Sequence, residues 1–196
     1  MTRAYTLRIE LEEIKPAIWR RVVVPGNLTL ARLHLVIQDA MGWQNYHLHL
    51  FEIGGRQLGP VGDEAFGSDV VDEKRFTLEK MLEGKDRFRY VYDMGDDWGH
   101  AVIVEEVAAA DRTITPACVA GARACPPEDC GGPLGYEDLV KALARPRSKR
   151  HRELREWVGD EWKPEAFDVD AADRLVARHS PRRGRGRVAG RPGART

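Results

Sequence analysis

The segment from Arg87 to Val107 constrains this chain more than any other. Phe88, Tyr90 and Tyr92 alternate with Arg87, Arg89 and Val91, the period-two pattern of a half-buried strand. Met94-Gly95-Asp96-Asp97 then supplies turn residues, and Trp98 to Val107 returns as a second strand, so the chain holds a long hairpin. A second alternation runs through Tyr5, Leu7, Ile9 and Leu11 against Thr6, Arg8, Glu10 and Glu12. Lys15-Pro16 interrupts it, and Ile18 to Val24 reads as the next strand, closed by Pro25-Gly26. From Thr29 the period changes: Leu30, Leu33, Val36, Ile37, Ala40 and Met41 fall on one helical face, with Thr29 as cap and Gly42 as stop. His47 to Ile53 alternates again and runs into the turn pair Gly54-Gly55.

A short helix is expected from Thr77 to Leu82, stopped by Gly84. Further helices are expected over Tyr136 to Ala144, Ser148 to Val158 and Asp170 to His179. Gly121 to Gly135, dense in Gly, Pro and Cys, reads as a loop. The order contains no internal repeat and no uniform βαβα alternation, which disfavours a doubly wound parallel sheet. The expected fold is α+β: a mostly antiparallel or mixed sheet with helices packed on one face, in a single domain over residues 1–179.

With 196 residues, 42% of them hydrophobic, the chain is long enough and apolar enough to bury a core. No apolar run approaches the roughly 18 residues of a membrane span. The first residues, Met-Thr-Arg-Ala-Tyr-Thr-Leu-Arg, place charge where a secretory signal needs an apolar stretch. Three cysteines cannot complete a disulfide framework. Together these features point to a cytoplasmic protein.

The formal net charge is zero but unevenly spread: residues 1–144 carry −7 and residues 145–196 carry +7. Pro181 to Thr196 holds six arginines, four glycines, two prolines and no acid, so residues 180–196 read as a disordered Arg/Gly tail. Arg182, Arg183, Arg185 and Arg187, with the cluster Arg145, Arg147, Lys149, Arg150, Arg152 and Arg155, offer phosphate-neutralising charge for nucleic acid. The alternative is a solvated terminal extension. On the helix from Ser148, Leu154, Trp157 and Val158 are expected to be buried, with the arginines forming a wet face.

Four groups of residues then carry a family resemblance. They are Ile18-Trp19-Arg20-Arg21; Leu33-His34 with Met41-Gly42-Trp43 and His47-Leu48-His49; Tyr90 to His100; and Gly121 to Gly132, containing Pro126-Pro127-Glu128-Asp129, followed by Gly135-Tyr136. In this order they resemble the plasmid pRiA4b ORF-3-like proteins, also described as transposon passenger proteins of TnpR type. The resemblance covers roughly residues 5–175 and implies a compact α+β domain linked to plasmids and mobile elements. It implies no reaction. A serine recombinase is excluded, because Ser68, Ser148 and Ser180 lie in no nucleophile motif.

Several residues carry candidate chemistry. Asp93, Asp96, Asp97 and His100 concentrate three carboxylates and an imidazole around one turn, which suits either a cation or turn capping, and Trp98 shares a face with His100. Cys118, Cys125 and Cys130 with His100 form a candidate zinc set, although the Cys-x6-Cys-x4-Cys spacing lacks paired knuckles. Small buried hydrophobes are the alternative. Cys125 or Cys130 could also serve a cysteine hydrolase. Glu128 and Asp129 are candidate ligand contacts or caps. Trp19, Arg20 and Arg21 could place guanidinium beside an aromatic face for phosphate, or simply alternate on a strand. His47 and His49 read as a structural or solvent-facing pair on one strand face, and His34 as a core residue.

No catalytic constellation is complete. The function expected is a mobile-element-associated accessory or binding protein contacting nucleic acid or a protein partner. The alternative is a metal-dependent or cysteine-based enzyme whose site joins the Asp93–His100 turn to the Cys118–Cys130 loop.

Overall fold

The computed structural model describes residues 2–62, 69–111 and 113–180. The arginines at 182, 183, 185 and 187, and the tail expected from Pro181 onward, lie outside the described residues.

The strands are β1 (Thr2–Leu11), β2 (Trp19–Pro25), β3 (His49–Ile53), β4 (Arg56–Gly59), β5 (Val71–Asp72), β6 (Arg87–Tyr92), β7 (Trp98–Ala110) and β8 (Ala117–Ala122). They form one sheet in the order β5-β4-β3-β6-β7-β1-β2-β8. All neighbours are antiparallel except β4 and β5, which run parallel. The sheet is therefore mixed and mostly antiparallel, as the alternating patterns require. The helices are α1 (Leu30–Met41), α2 (Leu78–Leu82), α3 (Gly132–Leu143), α4 (Lys149–Val158) and α5 (Val169–Val176).

The expected hairpin is the centre of the sheet, with Tyr90 opposite His100 and Tyr92 opposite Trp98. The β3–β4 hairpin turns through Gly54 and Gly55 at φ +58° and +77°, where a Cβ would be strained. Helix α1 runs over the residues its pattern predicted and ends in left-handed Gly42 at φ +100°. Thr29 occupies its N-cap position, but its side chain makes no capping hydrogen bond. Two elements differ from expectation. Ala117–Ala122 is an edge strand, and α3 begins at Gly132 with Pro133 in its first turn, so the Gly121–Gly135 stretch is only partly loop.

The alternation gives the sheet one buried face. Leu7, Ile9, Val22, Phe51, Tyr90, Tyr92 and Val102 are fully enclosed and join Leu30, Leu33, Val36 and Ile37 of α1 in one core. Helix α5 sits beside α1 and β8. The opposite face is polar and pairs its own charges. Arg8 meets Glu10 at 2.8 Å, and Arg89 meets Glu12 at 2.9 Å and Glu52 at 3.5 Å. Arg21 meets Glu105, and the Arg8 guanidinium lies 4.2 Å from the Trp19 ring centre. Each such half-exposed pair contributes about 0.2–1 kcal/mol. Among the described residues, no helix is long and apolar enough to cross a membrane.

Candidate functional site

Three connections meet at one end of the central strands: the loop from α1 to β3, the β6–β7 turn, and the loop from β8 to α3. Each is held by its own local chemistry. After Gly42, Trp43 folds under the sheet end, with its ring centre 4.7 Å from that of Tyr92 and 5.6 Å from that of Trp98. Asn45 takes a left-handed conformation (φ +57°), donates its N–H to Gln38 Oε1 at 3.1 Å and meets His34 Nε2 through Oδ1 at 2.8 Å. The next two amides, of Tyr46 and His47, both donate to the Tyr92 hydroxyl, at 2.9 and 3.3 Å.

In the β6–β7 turn, Asp93 and Asp97 are left-handed, at φ +57° and +51°. Asp93 Oδ1 accepts the amides of Gly95 at 2.9 Å and Asp96 at 3.3 Å, an Asx-type turn. Its other oxygen remains available. Asp96 crosses to the third loop, where its Oδ2 accepts the Gly131 amide at 3.0 Å. Asp97 stays at the surface, 3.9 Å from Arg89.

In the third loop, Glu128 Oε1 accepts the Gln44 amide at 2.7 Å and the Tyr92 hydroxyl at 3.1 Å. Burial raises the Tyr92 phenol above its ordinary range, so it remains a proton donor to this carboxylate. Asp129 is left-handed, at φ +56°.

These arms converge on His47. Its Nε2 lies 3.1 Å from Asp129 Oδ1, 3.5 Å from Asp93 Oδ2 and 3.9 Å from Glu128 Oε2. That nitrogen is shielded from solvent, yet none of these contacts has hydrogen-bond alignment. Ligand atoms of His47, Asp93 and Asp129 all lie within 4.8 Å of one another. One imidazole nitrogen and two carboxylate oxygens at this separation match the donor set of a divalent transition metal.

The other sequence candidates fall elsewhere. Among the described residues, Cys118, Cys125, Cys130 and His100 do not gather into a ligand set, which corrects the cysteine zinc site. Cys118 is buried on β8, and Cys125 and Cys130 pack against the core. Burial raises the Cys118 thiol, pushes the Cys130 thiol up to about 12 and holds that of Cys125 well above its usual range. Protonated thiols are poor ligands and poor nucleophiles, so the cysteine-hydrolase reading loses its support. His100 is a core residue with Nδ1 on the Trp98 carbonyl at 2.9 Å, and burial lowers it to about 4. Trp98 is likewise buried.

Arg20 is corrected from a surface contact to a core clamp. It is 1% exposed, and its guanidinium donates to the carbonyls of Ala40 at 2.8 Å, Trp19 at 2.8 Å, Ala122 at 3.0 Å and Met41 at 3.5 Å. It also stacks on Phe167, 3.8 Å from the ring centre. Trp19 and Arg21 belong to the self-paired open face. His47 and His49 do not act as a pair: His49 turns inward, meets Glu73 Oε2 at 2.8 Å and stacks on His34 at 3.4 Å. No residue of α4 is buried; Leu154 and Val158 are half-buried, and Trp157 is 49% exposed where a covered position was expected. Sequence reasoning did not place His47 in the site. The signal available was its position at the mouth of β3, two residues before the ladder begins at His49.

A mixed-sheet α+β protein with a histidine–carboxylate cup at its strand ends is the class these features define. A model of the plasmid pRiA4b ORF-3-like proteins matches residues 3–171, and the chain belongs to that family. It is 41% identical over 155 residues to "Uncharacterized protein y4hQ" of Sinorhizobium fredii (strain NBRC 101917 / NGR234), covering 78% of this chain and 79% of that protein. The crystal structure of the protein of unknown function MM3350 from Methanosarcina mazei Go1 is similar to it with a TM-score of 0.78 and 34% identity. That match covers 87% of this chain and 97% of the other.

Proposed function

We propose that the chain binds one divalent transition-metal ion through His47, Asp93 and Asp129, and that this loop junction is its functional centre. The observation that carries the reading is the His47 Nε2 atom, shielded, without an aligned hydrogen bond, and facing three carboxylates. Three protein donors leave coordination positions for water or a ligand, the arrangement of reactive rather than purely structural ions. Calorimetry of tag-free, chelator-treated protein with Zn²⁺ and Mn²⁺ tests it. About one ion per chain is expected, lost in His47→Ala and Asp129→Asn and retained in Cys118→Ser. Absence of binding in the unaltered chain would reduce the cup to polar contacts between His47 and its neighbouring acids.

A second reading rests on a different observation, the exposed Trp157 on a helix that has no fully buried residue and follows Arg145 and Arg147. Here the protein is an accessory of mobile DNA that contacts single-stranded nucleic acid, the tryptophan stacking on a base while the arginines neutralise phosphate. Affinity for an oligonucleotide should then fall steeply with salt and drop in Trp157→Ala. Salt-insensitive or absent binding would end this reading without touching the metal site.

A further inference from the structure

Resting on the metal reading, we propose that Tyr92 is the positioning residue of the site, a group that binds no ion itself but sets the register of the arms that do. The His47 arm and the Glu128–Asp129 arm come from connections some 80 positions apart in sequence, and one hydroxyl touches both. It accepts from the amides of Tyr46 and His47 and donates to Glu128, which uses the one donor and two acceptor sites a phenol has. Tyr92 is fully buried at the end of β6, between β3 and β7 in the sheet, and it directly precedes the ligand Asp93. The interior of the sheet thus reaches the site through this ring.

Glu128 completes the device. It lies outside the close trio; the Tyr92 hydroxyl reaches both of its oxygens, Oε1 at 3.1 Å and Oε2 at 3.3 Å, while Oε1 also accepts the Gln44 amide and Oε2 faces His47 Nε2 at 3.9 Å. Glu128 therefore acts on the site through Tyr92 and the His47 arm rather than as one of the three close donors. Such outer partners fix ligand orientation, and losing one weakens metal binding about 10–100-fold.

The test uses the full chain and zinc alone, with cobalt as spectroscopic probe. Tyr92→Phe should bind one Zn²⁺ about 10–100-fold more weakly and shift the Co²⁺ visible bands, whereas Tyr5→Phe, a buried tyrosine at the far end of the sheet, should do neither. Glu128→Gln should weaken zinc by a similar factor. The double variant should be no weaker than the weaker single one, because both remove the same hydrogen-bonded unit. Additive losses, or zinc affinity in Tyr92→Phe within about threefold of the unaltered chain, would overturn the positioning role and leave the metal site standing. Failure of the unaltered chain to bind zinc or cobalt would instead overturn the metal reading. Should Tyr92→Phe not fold, the Glu128→Gln variant decides alone, through its affinity and its cobalt spectrum.

Discussion

Replacing Arg20 by methionine removes a buried cation that, among the described residues, has no carboxylate partner and donates its hydrogen bonds to backbone carbonyls. Three of its hydrogen bonds are 3.0 Å or shorter, to Ala40, Trp19 and Ala122, and the fourth, to Met41, is 3.5 Å. Hydrogen bonds to a charged group contribute about 1.5–3 kcal/mol each, and the stack on Phe167 adds about 2 kcal/mol in a desolvated setting. Against this stands the cost of burying the charge, several kcal/mol, which also lowers the Arg20 pKa. Methionine keeps much of the volume but leaves the carbonyls of Ala40, Trp19 and Ala122 without this donor. A net loss of about 4 kcal/mol follows, the scale of breaking a buried charged network. For a chain of this length that lowers Tm by about 8–16 °C. Urea denaturation at fixed pH measures it directly, through a lowered midpoint with an unchanged slope. Lysine should restore little, because one ammonium cannot span carbonyls on β2, β8 and the end of α1. A loss below about 1 kcal/mol in Arg20→Met would refute the reasoning and mean that desolvation cancels the clamp.

Two further outcomes are expected. His34 is lowered to about 3 by burial and by His49, and His100 to about 4 by burial; both ordinarily titrate near 6.5. The unfolded chain therefore takes up these protons as pH falls below 6.5 while the folded chain does not. Stability should drop by about 4 kcal/mol between pH 7 and 5, with urea midpoints as the measure; a flat profile would contradict it. In Gly132→Ala the new methyl would sit 2.5 Å from the Asp96 carbonyl oxygen, at a position where φ is +66°. The β6–β7 turn and the third loop should then separate, costing about 1–3 kcal/mol and weakening any ion held between them, whereas Gly55→Ala, with open space around it, should carry only its φ cost.

What was legible in the sequence was what local periodicity controls. The hairpin and α1 follow directly from period-two and period-3.6 patterns, and Gly42 ends α1 while Gly54-Gly55 turns β3 into β4, as their φ values demand. Strand β8 escaped notice because Ala117–Ala122 is made of small residues that carry no alternation, its pairing with β2 supplying the order. The two acidic segments of the site were readable, since Asp-rich turns and Pro-Pro-Glu-Asp are unusual on any chain. Their partner was not. His47 joins them through one backbone hydrogen bond to a tyrosine 45 positions away, and nothing in His-Leu-His separates the imidazole that faces the acids from the one that faces Glu73. The cysteines misled for the opposite reason: residue type suggested metal, while burial, a tertiary property, keeps the thiols protonated. Arg20 shows both sides. Alternation placed it on the face opposite Trp19 and Arg21, but only the fold reveals that this face is the core.

The open face of the sheet has a consequence for how such a protein can diversify. Arginines and glutamates there answer one another, Arg8 with Glu10 along β1, Arg89 with Glu52 between β6 and β3, and Arg21 with Glu105 over the width of β1, so a charge gained or lost at one position alters its neighbour's pairing. Change on that surface disturbs the pairing least when it arrives two residues at a time. At the strand ends the loops are tied to the sheet through contacts such as those of Tyr92 and the Asp97–Arg89 pair, and a single change at a loop position outside them can retune the cup while the scaffold beneath it stays as it is.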